Sequence, residues 1–456
     1  MSVLTEKADV SVQYVSLFNE LKSKLNAGSH EILNSLRNRA FQDFVKQGIP
    51  TRKNENYKYT NLQPAFGFDY QVTFEKPQTE VASEEIFRCD VPQLDTHHGI
   101  LLNGWFANNE QSAELPSGVI FESLEIAAIK YADLIKKHYG TLAETAADPI
   151  VALNTAFAND GYFLYVPKNV VFEKPLQIIS LLKSENDTFC TSRNLVIVEQ
   201  GAKAQIILCN HTLNLNRYLS NSATEVFVEE NAQFEYYNIQ NQHNNSTLLN
   251  SVFVKQESNS VASVHTVSLH GGLIRNNLKV TMNGENGEAN LFGLAFPDKK
   301  QHTDNFIQIE HAKPHCQSNQ LFKYVLNDNS TGAFSGKIHV ARDAQKTNAF
   351  QRNNNLLLTD TASMQTKPQL IIDADDVKCS HGATVGQIDE QALFYLRSRG
   401  IEENMARLMM MNAFAHEVVQ EIKVEALRER IDELIEKRLS GDVARCHECN
   451  YKCECS

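Results

Sequence analysis

Cys379 and His381 flank a single serine in the run Asp376-Val377-Lys378-Cys379-Ser380-His381-Gly382. A thiolate and a neutral imidazole are the protein ligands that iron and zinc take most readily. On a strand, positions 379 and 381 face the same side, so the two can share one ion. The plainer alternative is a small buried thiol, since free Cys packs as a small hydrophobe. A second thiol-rich stretch lies near the C-terminal end, where Cys446, Cys449, Cys453 and Cys455 spell C-x2-C and C-x-C. Four thiolates so close together suffice to enclose a tetrahedral ion; the alternative is a reducible tail without structure. His311, His315 and Cys316 can also be drawn as a metal cluster, but Pro314 spoils helical placement. Asp373, Asp375 and Asp376 would suit the acid/base or calcium chemistry of a polysaccharide lyase or hydrolase. Such enzymes usually carry an export signal. The opening MSVLTEKADVSVQY has neither the basic region nor the apolar core of one, so a solvated corner is the better reading of these aspartates.

The elements that must position Cys379 and His381 are legible on both sides. Leu370, Ile371 and Ile372 read as a short buried strand. Gly382 offers the backbone a place to turn. Beyond Gly386 the spacing becomes helical, with Leu393, Phe394 and Leu396 apolar and Gly400 as a stop. Further helices carry Leu408, Met411, Ala415, Val418, Val419 and Ile422, then Leu427, Ile431, Leu434 and Ile435. Met405, Met409 and Met410 beside them read as core filling.

Upstream, the chain repeats itself. Leu195-Val196-Ile197-Val198-Glu199-Gln200-Gly201-Ala202-Lys203-Ala204 is echoed 30 residues later by Glu225-Val226-Phe227-Val228-Glu229-Glu230-Asn231-Ala232-Gln233-Phe234. A weaker copy begins at Val252. Short strands, a repeated polar corner and a period between roughly 20 and 50 residues indicate a solenoid, in which stacked β-coils share one apolar column. A β-sandwich with ordinary hairpins is the alternative. Before the repeat, residues 10–48 read as helices, with Ser29 as a cap and Gly48 as a stop. Residues 50–62 form a polar and aromatic connector. The run 68–74 and residues 100–106 read as strands, 83–87 as a helical turn, and 120–147 as helical.

Net charge is −12, which argues against a nucleic-acid partner. No apolar run approaches the roughly 18 residues of a membrane span. Nine cysteines, an odd number, with no export signal fit a reducing cytoplasm and free thiols. No G-x-x-x-x-G-K-[ST] occurs, so the chain carries no nucleotide site of that kind, and any ATP dependence must come from a partner.

The run from Asp376 to Thr384, with Gly386, Asp389, Leu393-Phe394-Tyr395-Leu396 and Ser398-Arg399-Gly400-Ile401, resembles the C-terminal signature of the SufB/SufD family, the scaffold proteins of SUF iron–sulfur cluster assembly. Residues 50–62, Leu153–Phe157, Gly332–Lys337 and Ala344–Thr347 resemble other family elements, more like the SufD branch than the SufB branch. The resemblance implies a mainly β fold: a right-handed parallel β-helix core (96–380) flanked by an N-terminal mostly helical domain (1–95) and a C-terminal helical domain with the Cys-rich tail (381–456). It implies a non-enzymatic scaffold that pairs with a SufB-like paralogue, or with itself in isolation, and meets a SufC-like ATPase at the C-terminal helices. Cys379 and His381 would hold a transient iron–sulfur cluster. The resemblance says nothing about Cys446, Cys449, Cys453 and Cys455. If these bind metal, deleting residues 446–456 lowers the metal content of the purified chain; equal metal in both forms rejects them as ligands.

Overall fold

The computed structural model describes residues 10–72, 76–77, 94–107 and 115–440. The expected helical turn at 83–87, part of the expected strand at 68–74, Cys89 and all four tail cysteines lie outside these residues.

The chain opens with helices α1 (Ser11–Ala27), α2 (Glu31–Gln47) and α3 (Gln63–Phe66). Their apolar residues recur at three- and four-residue spacing, so Tyr14, Phe18, Leu25, Ala40 and Phe44 meet in one cluster. The cap of α2 is His30, whose ring accepts from the Ile32 N–H. Ser29, the expected cap, instead bonds Leu25 O and Asn34. Strand β1 (Gln71–Val72) follows. Then β2 (His97–Leu102) and β3 (Trp105–Ala107) form a hairpin. Its two-residue turn, Asn103-Gly104, has φ of 51° and 87°, the conformation that Asn-Gly supplies at least cost. Where the spacing suggested a helix from residue 120, the chain first makes β4 (Ile120–Ser123) and then α4 (Leu124–Lys130) and α5 (Ala132–His138). Helix α6 (Pro149–Phe157) is buried along its whole length.

From there the chain winds as a solenoid: β5 (Tyr162–Val166), β6 (Leu176–Leu182), β7 (Thr188–Val198), β8 (Lys203–Thr212), β9 (Tyr218–Val228), β10 (Gln233–Asn241), β11 (Ser246–Gln256), β12 (Val261–His270), β13 (Leu273–Met282), β14 (Glu288–Ala295), β15 (His302–His311), β16 (Gln317–Leu326), β17 (Thr331–Val340), β18 (Asn348–Leu357), β19 (Ser363–Ile372) and β20 (Lys378–Gly386). Odd-numbered strands build one sheet and even-numbered strands the other, and consecutive coils pair in parallel. The echo seen in the sequence is the stacking register itself. Leu195 pairs with Glu225, and Ala204 with Phe234.

Inward side chains form continuous columns. On the odd sheet Leu164, Val196, Val226, Val254, Val280, Ile309, Ile338 and Leu370 stand one above another. Apolar residues of both walls fill the space between the sheets. At one corner the backbone of every coil passes through the left-handed region at Asn169, Gly201, Asn231, Asn259, Asn286, His315 and Lys346. Each of these donates its N–H to a carbonyl of the next corner. Asn and Gly enter that region most cheaply, which is why the corner repeats with the strands.

Helices α7 (Glu390–Ser398), α8 (Glu403–Val419) and α9 (Glu425–Leu439) follow. The last two press Val418, Val419, Leu427 and Ile431 onto the outer face of the even sheet, against Tyr237, Val267, Phe292 and Leu321. Lys323, nearly buried, donates to Phe414 O and pairs with Glu417. Met405 and Met409, expected as core filling, face outward.

Two buried ion pairs fasten the N-terminal elements to the odd sheet. Arg193 meets Glu225 at 2.7 Å with both side chains buried, and Glu225 also accepts from the N–H groups of Gly140, Leu142 and Ala143. Arg275 pairs with Asp304, which Thr60 of the connector also reaches. Tyr57 lies under the Arg275 guanidinium and donates to Asp148, the cap of α6. Removing one partner of a buried pair leaves the other charge stranded, at a cost of about 3–5 kcal/mol. Glu225→Ala is therefore expected to lower the stability by an amount of that order and the thermal unfolding midpoint with it, and Glu225→Gln by less; differential scanning fluorimetry compares the midpoints.

Candidate functional site

Cys379 and His381 lie on β20, the last strand of the even sheet, and both point inward. Cys379 ends a column of small residues: Ala262, Ala289, Ser318 and Ala349 stand behind it. His381 ends the column Tyr236, Val264, Leu291, Gln320, Gln351. Within the solenoid such positions are closed off by the next coil. Here no coil follows, so the inner face opens to solvent, with Cys379 half-buried and His381 exposed.

The same open end corrects two expectations. The run Leu370–Ile372 is a strand but not a buried one, since Ile371 and Ile372 are each 40% exposed. Among the described residues no further strand stacks on β19. Gly382 makes no turn; it pairs with Arg352 in mid-strand, and β20 runs on to Gly386. Helix α7 starts only after Asp389, whose carboxylate accepts from the N–H groups of Gln391 and Ala392.

Positions two apart on a strand are about 7 Å apart at Cα, so the sulfur and the ring can reach one ion or two atoms of one cluster. Cys379 packs against the cluster of Ile338, Val340, Ala344 and Ala349. That burial pushes its thiol above the ordinary value, partly offset by a hydrogen bond with the Ala349 backbone. An approaching cation must therefore displace a proton to gain the sulfur.

Sequence reasoning missed the polar floor behind this pair. Gln351 donates to Gln320 at 2.8 Å across 31 residues of chain. Its other side-chain atom, Oε1, is buried without a partner, as is Thr366 Oγ1 on β19. Gly336 lets the Gln351 carboxamide lie across the lumen, since a Cβ there would meet Nε2 at 2.2 Å. The recurrence Gln320, Gln351, His381 at nearly constant spacing was the available signal.

The other sequence candidates do not converge. His311 is buried and bonds Ser318, His315 is a corner residue, and Cys316 points at Gly284 O. Asp373 pairs with His339, and Asp376 with Lys346. Among the described residues no group of three or more His, Cys, Asp or Glu is placed to hold a metal ion, and no helix is long and apolar enough to cross a membrane.

Around the open end lie exposed apolar side chains: Val385 on β20, Phe394 and Tyr395 on α7, and Met405 and Met409 on α8. Pro368 removes one donor from β19. The outer edge of β20 has no such block, and a Cβ at Gly382 or Gly386 would meet nothing within 4 Å. An unprotected edge of this kind is a template for pairing with another strand.

A family model described as SUF system FeS cluster assembly, SufBD core domain, matches residues 181–414. A second, SufBD protein N-terminal region, matches residues 8–178. The iron-sulfur cluster assembly protein SufD of Escherichia coli (strain K12) is 30% identical over 405 residues, covering 88% of this chain and 92% of the relative. An iron-sulfur cluster assembly SufBD family protein of Synechocystis sp. is 29% identical, with 90% of each chain covered. SufD of Bacillus subtilis (strain 168) is 29% identical over 334 residues, covering 71% of this chain and 74% of the relative.

The raised thiol gives a direct expectation. In the chain alone, alkylation of Cys379 followed by peptide mass spectrometry rises with pH through an inflection above about 8.5, the value of a free thiol. An inflection below that value means that the sulfur sits in a different environment.

Proposed function

This chain belongs to the SufBD family of SUF iron–sulfur cluster assembly proteins, and we propose that it serves there as a SufD-type scaffold whose open coil holds a nascent cluster between itself and a SufB-like partner. One observation carries the reading: the last coil turns a thiol and an imidazole inward and leaves them uncovered. They supply two ligands where a tetrahedral iron takes four. The remainder come from sulfide and from the chain that docks on β20. A mixed and half-supplied ligand set suits a cluster that must leave again.

The partner adds its own strand to the bare edge and covers Ile372 and Val385. The exposed aromatic and methionine side chains of α7 and α8 provide the seat for a SufC-like ATPase, which brings the nucleotide chemistry that this chain lacks. The scaffold acts by ligation and positioning, in the cytoplasm, and the iron–sulfur cluster is its cargo. The tail thiolates Cys446, Cys449, Cys453 and Cys455 are a separate metal-binding proposal.

Anaerobic co-expression with SufB- and SufC-like partners tests the assignment. Cys379→Ala and His381→Ala are each expected to cut the iron and sulfide recovered with the complex severalfold while leaving its elution volume unchanged. Full cluster yield from both variants would reject the site.

A further inference from the structure

A cavity of about 560 Å³ lies along a corner of the solenoid at the starts of β9, β11, β13 and β15, on a wall that Cys379 and His381 do not share. Arg217, Lys299 and Lys300 line it, with Phe68, Tyr70 and Leu273 as its apolar side; no Asp or Glu is among its lining residues, although Asp187 pairs with Arg217 from outside them. This chain has 55 acidic and 43 basic side chains, so an all-cationic lining runs against its average. Arg217 is held flat 3.7 Å over the Phe68 ring and paired to Asp187. The ammonium groups of Lys299 and Lys300 have no ion-pair partner among the described residues. The nearby Asp298 is taken up by Arg438.

Lys299 also holds a costly backbone conformation. Its φ is 51°, in the left-handed region, where a long side chain is uncommon. The residue stacked on it one coil later is Asp328, whose carboxylate accepts the Lys299 N–H and whose type suits that conformation. Beside the cavity, burial, and then Lys299, hold His243 below the usual imidazole value.

We infer that this cavity is a binding site for a small phosphate ester, with the phosphate between Lys299, Lys300 and Arg217 and the organic group against Leu273 and Phe68. Two mobile ammoniums and a fixed guanidinium match a dianion better than a single carboxylate. The volume is that of a small-molecule site, and three cations on an acidic protein are too few for a nucleic acid.

Calorimetric titration of the full-length chain with phenyl phosphate tests this. Saturable binding is expected, weakened on the order of tenfold or more in the Lys299→Ala/Lys300→Ala variant. Both lysines are exposed, and an unchanged melting temperature verifies that the variant is folded. Benzoate, similar in shape with one charge, is expected to bind more weakly. Absence of saturable binding, unchanged affinity in the double variant, or equal affinity for benzoate overturns the inference. Cluster assembly is not part of the measurement, so its outcome is independent of the scaffold assignment.

Discussion

A β-coil can bury its inner face only against another coil, and this one requirement governs the molecule. Each interior strand of the solenoid pairs in parallel with the strand one coil before and one coil after. Hydrogen bonds along the sheets and apolar columns across the lumen are satisfied together or not at all. A structure built by this rule has two special ends. Beside the first coils, the N-terminal helices cover the odd sheet through a packed aromatic cluster, while two ion pairs buried within that sheet hold residues 140–143 and Thr60 of the connector. At the other end α8 and α9 cover the outer face of the even sheet but not the open lumen. Cys379 and His381 stand in that opening.

Much of this was legible in the sequence because the rule is periodic. The echo between Leu195 and Glu225 is the true register, and the Gly201/Asn231 corner is a true backbone constraint. The third copy faded for a simple geometric reason: Ser222 and Asn250 meet across 28 residues where Asn194 and Thr224 meet across 30. A fixed period slips against such coils, whereas the left-handed corner residues keep step with them. In the later coils polar inward residues interrupt the apolar pattern while staying buried: Asn276 donates to Asn305, and Gln320 accepts from Gln351.

The site was legible in type but not in setting. The two-residue spacing puts Cys379 and His381 on one face if they lie on a strand, and they do lie on one. What the residues alone could not tell is that their strand is the last of its sheet. Leu370, Ile371 and Ile372 have the composition of a core strand, and burial there depends on a neighbour that none of the described residues provides. The Gln351 and Thr366 floor was hidden for the opposite reason: those residues are ordinary in type and acquire meaning only from the column in which they stand.

The open coil also has a consequence in time. A ribosome lays the coils down in order, and every coil but the final one is sealed by its successor as translation proceeds. The open rim is thus the last part of the wall to be made, and a polypeptide cut short anywhere upstream of β20 would end in a rim lined by different side chains.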